Sequence, residues 1–154
     1  MTPEHFQFTS DMEALERLVP LQGRRIIHVG CGDGALSFAL AKRGASMLGV
    51  ESDPERAREN RDLGKFDGVT LIEGFAQNLP QNDGTVDCVI MLDFLSRVEA
   101  FDMADCLTEA CRVLKENDGI LYVGEYDTGG SYDDMVRMFH DRSAERAGAM
   151  EALL

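Results

Sequence analysis

Gly30-Cys31-Gly32-Asp33-Gly34 places three glycines at alternate positions, directly after the apolar run Arg25-Ile26-Ile27-His28-Val29. That spacing lets the backbone turn tightly and lets a ligand approach it with no Cβ in the way. Glu51 stands about 20 residues further on, the offset expected for an acid that serves the same ligand as a glycine loop. A carboxylate there can accept hydrogen bonds from both hydroxyls of a ribose. A glycine triplet by itself also fits an ordinary turn. A strand before it, a helix after it and an acid at that distance together point to a nucleotide-type ligand.

The elements that must hold these residues are legible in the pattern. Ser10, with Glu13 three residues later, reads as a capping box opening a helix. Met12, Leu15, Leu18 and Val19 give that helix one apolar stripe, and Pro20 ends it. Arg25 to Val29 is a short β-branched run and predicts a buried strand. Ala35 to Lys42 has helical composition, with Gly44 closing it. Ser46 to Val50 predicts a second strand, and Asp53-Pro54 a helix start, a capping side chain followed by proline at the first helical position. Val69 to Ile72, Asp87 to Leu92 and Ile120 to Val123 predict three more strands. Between the last two, Met103, Leu107, Ala110 and Leu114 repeat at helical spacing. Short apolar runs alternating with helical patterns predict an α/β fold, a parallel sheet covered on both faces.

Size and charge narrow the function. A chain of 154 residues with 44% apolar residues can bury one domain-sized core. No segment reaches the roughly 20 apolar residues that span a bilayer, and the polar start from Met1 to Ser10 lacks a signal-peptide pattern, so a cytosolic protein without a membrane is expected. The formal net charge of −13 argues against a nucleic-acid partner, which calls for a basic footprint. Cys31, Cys88, Cys106 and Cys111 form no C-x-x-C pair and read as buried apolar thiols. His5, His28 and His140 show no metal-ligand spacing, so no metal is expected.

Two ligands fit the loop. Gly30-x-Gly32-x-x-Ala35 matches the dinucleotide fingerprint of nicotinamide and flavin enzymes. The rest of the chain resembles class I S-adenosylmethionine-dependent methyltransferases instead. Ile26 to Asp53 is similar to that family's first two strands. Glu73-Gly-Phe-Ala-Gln-Asn-Leu-Pro80 and Asp83-Gly-Thr-Val-Asp-Cys-Val-Ile90 are similar to its adenine loop and fourth strand. Glu109 to Val123 is similar to its next helix, turn and fifth strand. The resemblance runs over residues 24 to 127 with four motifs in order.

The resemblance implies a Rossmann-like sheet with S-adenosylmethionine as cofactor. Gly30 and Gly32 would pass beneath the methionine part, with backbone contacts from Cys31 and with Gly34 completing the loop. Glu51 would bind the ribose and Ser52 would lie beside the adenine. Phe75 and Ala76 would border the adenine ring, and Met91 would flank the methionine end. The acceptor would be a small molecule or a protein, and no catalytic residue is singled out. A dehydrogenase would need a substrate domain as well.

The chain departs from the family pattern at three places. His28 stands where an acid usually precedes the glycine loop, and Phe75 stands where an acid often meets the adenine amino group. The family usually continues into a sixth and a seventh strand, which are expected to be absent here. Those departures sustain an alternative, a degenerate methyltransferase fold that binds without turnover. His28 reads more simply as a core histidine than as a base. Asp93, Glu125 and Asp127 follow the fourth and fifth strands, where an acceptor would sit.

A single domain is expected, with an N-terminal helix in 1–20, a cofactor-binding core in 24–127 and a C-terminal helix in 131–154. Met135, Met138, Phe139 and Met150 in that last helix would fill gaps or cover an acceptor site. Without further strands, Ile120 to Val123 would be a bare β-prone edge, and pairing of two copies there is the favoured outcome.

Overall fold

A computed structural model describes residues 3–62 and 66–125, with side chains from Ser10 onward. Five strands form one sheet: β1 (Arg25–Val29), β2 (Ser46–Glu51), β3 (Val69–Glu73), β4 (Cys88–Leu92) and β5 (Ile120–Gly124). They lie in the order β3-β2-β1-β4-β5, and every neighbouring pair is parallel. Helices α1 (Pro3–Leu18), α2 (Ala35–Ala41), α3 (Pro54–Asp62) and α4 (Ala100–Val113) and the 3-10 turn Leu95–Arg97 complete the described elements. The parallel α/β sheet is the one that the alternating pattern predicts, and its strand order is the Rossmann-like one that the resemblance implies. The chain runs outward from β1 through β2 to β3, then returns to the other side of β1 at β4. The carboxyl ends of β1 and β4 are therefore the switch point at which open α/β sheets bind ligands.

Both faces of the sheet are buried, which explains why the strands read as continuous apolar runs and not as alternation. On one face Ile27, Val29, Val89 and Met91 pack with Met103, Cys106, Ala110 and Val113 of α4. On the other Ile26, Met47, Cys88 and Ile90 pack with Met12 and Leu15 of α1 and Leu36 and Leu40 of α2.

Three expectations change. The helix α1 starts at Pro3, so Ser10 lies inside it and caps nothing. Proline suits the first turn of a helix, and the spacing of Ser10 and Glu13 fits a helix interior equally well. Leu18 leaves the apolar stripe and is 54% exposed. Cys111 is exposed, whereas Cys31, Cys88 and Cys106 are buried as expected. The proposed helix over 131–154, Asp127 and the cover of the β5 edge lie outside the described residues, and the pairing of two copies turns on them. None of the described helices is long and apolar enough to cross a membrane.

The amino ends of the strands are tied by Asp87, immediately before β4. Its buried carboxylate accepts from Arg24 Nη1 at 3.1 Å, from the Arg25 amide at 2.8 Å and from Lys115 Nζ at 2.6 Å. One side chain thereby joins β1, β4 and the segment linking α4 to β5. Burial pushes the Asp87 pKa up, but the bonds from Lys115, Arg25 and Arg24 outweigh it and hold the group below its ordinary value. The group binds fewer protons folded than unfolded, so its contribution is present above the unfolded carboxylate range and is lost as pH falls through the folded value. Asp87→Ala should destabilise the fold by about 2 kcal/mol, below the full cost of breaking a buried pair because both cations are partly exposed. Urea denaturation at neutral pH checks this; a midpoint unchanged from wild type would show the cluster to be ornamental.

Candidate functional site

At the opposite, carboxyl edge, four strand ends surround a cleft of about 640 Å³. Such a volume is within the usual range for a small-molecule site. The β1 end contributes Gly30, the β2 end Glu51, Ser52 and Asp53, the β3 end Phe75 and Ala76, and the β4 end Leu92, Asp93 and Phe94.

The glycine loop is fixed from several sides. The amides of Gly30 and Cys31 both donate to the Val50 carbonyl, at 2.8 and 3.2 Å, which bends the chain over the end of β2. Gly34 has φ of 80° and leads directly into α2. A Cβ at Gly34 would meet the Leu71 side chain at 2.8 Å, so this glycine serves packing as well as the turn. Asn60 of α3 is buried and donates from Nδ2 to the Gly32 carbonyl at 2.7 Å. No sequence signal marks Asn60, since an isolated Asn in a polar helix normally faces water.

Glu51 is the pivot of the cleft. Its residue exposure is 7%. Oε2 accepts from the Gly32 amide and Oε1 from the Asp53 amide, each at 2.9 Å. An ionised carboxylate has about four acceptor positions, so one remains on each oxygen after these two bonds. Asp53 caps α3 through the amides of Glu55 and Arg56, at 2.9 and 3.2 Å, as the Asp-Pro start predicts.

Of the residues singled out in the sequence, Gly30, Glu51, Ser52, Phe75 and Ala76 are brought together around the cleft. Phe75 is 60% exposed, with its ring at the rim, and Ala76 is buried. Gly32 lies beside the cleft, joined to it through Glu51. Cys31 turns away: its Sγ lies where a Cβ on Gly49 would be, at 2.8 Å. Burial and the nearby Glu51 charge push its thiol up to about 12, so it is not a nucleophile. Met91 is fully buried in the core on the α4 face, and Leu92 takes its place at the cleft.

His28 also stays out of the cleft. It is buried on the α2 side of the sheet, with Nδ1 at 3.2 Å from Ser37 Oγ. Burial lowers its pKa to about 4, against a smaller upward pull from Asp33. The core-histidine reading accounts for all of this.

The β4 side of the cleft carries what the sequence did not reveal. Asp93 has φ of 46°, the one positive value at a non-glycine among the described residues. Its amide donates to the Gly124 carbonyl at 2.7 Å, and its carboxylate pairs with Arg97. Glu125 accepts three amides: Oε1 takes those of Phe94 and Leu95 at 3.2 and 2.7 Å, and Oε2 that of Ser96 at 3.3 Å. It caps the 3-10 turn Leu95–Arg97 and does not face the cleft as a free acid. Val98, Glu99 and Asp102 complete this wall.

Comparison with known proteins bears on the choice between the two ligand types. A family model described as a methyltransferase domain matches residues 27–123, which holds β1 through most of β5. The chain belongs to this methyltransferase family. A ubiquinone biosynthesis O-methyltransferase of Xylella fastidiosa is 30% identical over 115 residues, 73% of this chain and 46% of that protein. A fatty-acid O-methyltransferase of Mycolicibacterium smegmatis is 31% identical over 104 residues, 66% of this chain and 37% of that protein. Among solved structures, a SAM-dependent methyltransferase of Thermotoga maritima is 30% identical with a TM-score of 0.59, covering 75% of this chain and 50% of that one. The chain thus spans about half the length of the relatives it matches. Methyltransferases of this family use S-adenosylmethionine generally, which makes the dinucleotide reading of the glycine loop the lesser one.

The charge of the cleft suits that methyltransferase ligand. Glu51, Asp53, Asp93, Glu99 and Asp102 line it against Arg56 and Arg97, five carboxylates to two guanidinium groups. A sulfonium compound with an ammonium and one carboxylate carries net positive charge, and an acidic cleft attracts it.

Proposed function

We propose that the cleft binds S-adenosylmethionine and that the protein methylates a hydroxyl or carboxyl group on a small molecule with an apolar body. One observation carries the reading: the buried Glu51 carboxylate, beside the glycine loop, keeps one acceptor position on each oxygen. Two adjacent donors, the hydroxyls of a ribose, match that pair. Gly30 and Gly32 then underlie the methionine part, with Cys31 and Gly34 shaping the loop from beneath. Ser52, Phe75 and Ala76 border the adenine, the exposed Phe75 ring offering a stacking face.

The bound cofactor supplies an electrophilic methyl on a positively charged sulfur. The chain's residues orient and shield. Glu51 fixes the ribose and hence the direction of the methyl. The apolar side chains of Leu92, Phe94 and Val98 exclude water from the acceptor side. Alignment of two bound groups can supply several kcal/mol of a displacement barrier, so no dedicated catalytic side chain is needed.

The acceptor class is supported by these apolar residues together with the printed activities of two relatives, a ubiquinone biosynthesis and a fatty-acid O-methyltransferase. The free thiols fit a cytosolic, reducing setting. A panel of phenols, fatty acids, amines and short peptides, assayed for release of S-adenosylhomocysteine, tests the assignment. Turnover is expected with the first two groups. Turnover confined to amines or peptides would contradict the acceptor class, and binding without turnover on any member would favour a module that only holds the cofactor.

A further inference from the structure

We propose that the Phe94 ring is a plug that occupies the ligand's place on the glycine loop, and that the cofactor displaces it to form a wall of the acceptor pocket. The inference rests on the cofactor reading above and deepens it. Glycine at position 30 has φ of 68° and leaves an opening over the loop at the end of β1. In this structure the group that uses the opening is Phe94: a Cβ at Gly30 would lie 2.8 Å from its Cδ2, 3.6 Å from Cε2 and 3.7 Å from Cγ. Both residues line the cleft. A ligand passing beneath the loop backbone at Gly30 and the ring of Phe94 cannot hold the same contact.

At Phe94 the ring is half-buried, packed at the edge of the α4-side core and lining the cleft, and the main chain is pinned. Its amide donates to Glu125 Oε1 at 3.2 Å, and its carbonyl accepts from the Arg97 amide at 3.1 Å. The preceding Asp93, with its positive φ, directs the chain back across the β1 end. Such strain in a non-glycine residue persists where surrounding bonds over-determine it, and is concentrated at ligand clamps. The movement available is therefore rotation of the ring about χ1 between staggered positions. Leaving Gly30, the ring passes to the β4 side of the cleft, beside Leu92 and Asp93. Binding is then ordered: the acceptor wall is complete only after the cofactor has moved the ring. Phe94 is a positioning residue in this scheme.

The test uses binding, with no dependence on turnover. If the ring competes with the ligand, apparent affinity is reduced by the fraction of molecules in which the loop is free. Phe94→Ala should then bind S-adenosylhomocysteine about threefold to tenfold more tightly than wild type by calorimetry. The chain contains no Trp, so Phe94→Trp installs a single indole at the loop. Its emission should change as S-adenosylhomocysteine is added, because the indole leaves its contact with Gly30 for the wall of the acceptor pocket. Circular dichroism establishes that both variants are folded. Equal or weaker binding by Phe94→Ala overturns the plug, as does an indole emission that stays constant through a titration saturated by calorimetry. Either result leaves the cofactor reading intact when wild type binds. Absence of binding by wild type and Phe94→Ala alike overturns both; binding by Phe94→Ala alone supports both.

Discussion

Glu51→Ala lowers affinity for S-adenosylhomocysteine about 100-fold, equivalent to ~2.7 kcal/mol at 1.36 kcal/mol per decade. Two losses combine. The ribose loses both of its bonds to a charged acceptor, where hydrogen bonds to charged groups contribute about 1.5–3 kcal/mol each and are not fully additive. The Gly32 and Asp53 amides also lose the oxygens that hold them at 2.9 Å, so the glycine loop and the start of α3 lose their common anchor. Glu51→Gln keeps the shape and one acceptor oxygen, and its loss should be about tenfold, near one charged hydrogen bond. Calorimetry on all three proteins checks the order. Wild-type affinity in a folded Glu51→Ala would remove the ribose from this carboxylate.

Stability falls as pH is lowered from about 6.5 toward 4, because His28 is held neutral in the fold. An unfolded His has a pKa near 6.5, and burial lowers that of His28 to about 4. Between those values the unfolded chain binds a proton that the folded chain does not, so protonation favours unfolding. The full span corresponds to about 3 kcal/mol at 1.36 kcal/mol per pKa step. His28→Gln should flatten this part of the profile, measured as urea stability at several pH values, while its acid limb from Asp87 remains. An identical slope in wild type and variant would show that the imidazole stays solvated. His28 lies outside the cleft, so its charge state gives no reason for cofactor affinity to follow the same curve.

The fold was legible because its strands are short, apolar on both sides and separated by glycine, proline and caps. The five runs beginning at Arg25, Ser46, Val69, Asp87 and Ile120 all became strands, since a parallel sheet buried on two faces demands that composition. The start of α1 was misplaced because Ser10 and Glu13 satisfy a capping pattern and a helical interior with the same spacing.

In the site, residues attached to strand ends were readable and residues attached to contacts were not. Glycine spacing and an acid after β2 have a fixed relation to the sheet, which is why Gly30 and Glu51 reach the same cleft. Met91 and Leu92 show the limit. Adjacent residues on a strand face opposite sides, so an offset of one moves a side chain from ligand to core. Asn60, Phe94 and Glu125 act through tertiary contacts formed 28 to 64 residues away, and no local pattern encodes those. Glu125 was expected among the acids open to an acceptor. Its engagement with three amides became visible only when the β4 turn was built beside it.

The proposed function requires that this glycine loop and this carboxylate serve S-adenosylmethionine and not a dinucleotide. Parallel calorimetric titrations of the wild-type chain with S-adenosylhomocysteine and with NAD test it most directly. One site per chain is expected for S-adenosylhomocysteine, with a Kd of roughly micromolar or tighter, and no saturable heat with NAD. Saturable binding of NAD at equal or better affinity, or silence with S-adenosylhomocysteine, would contradict it.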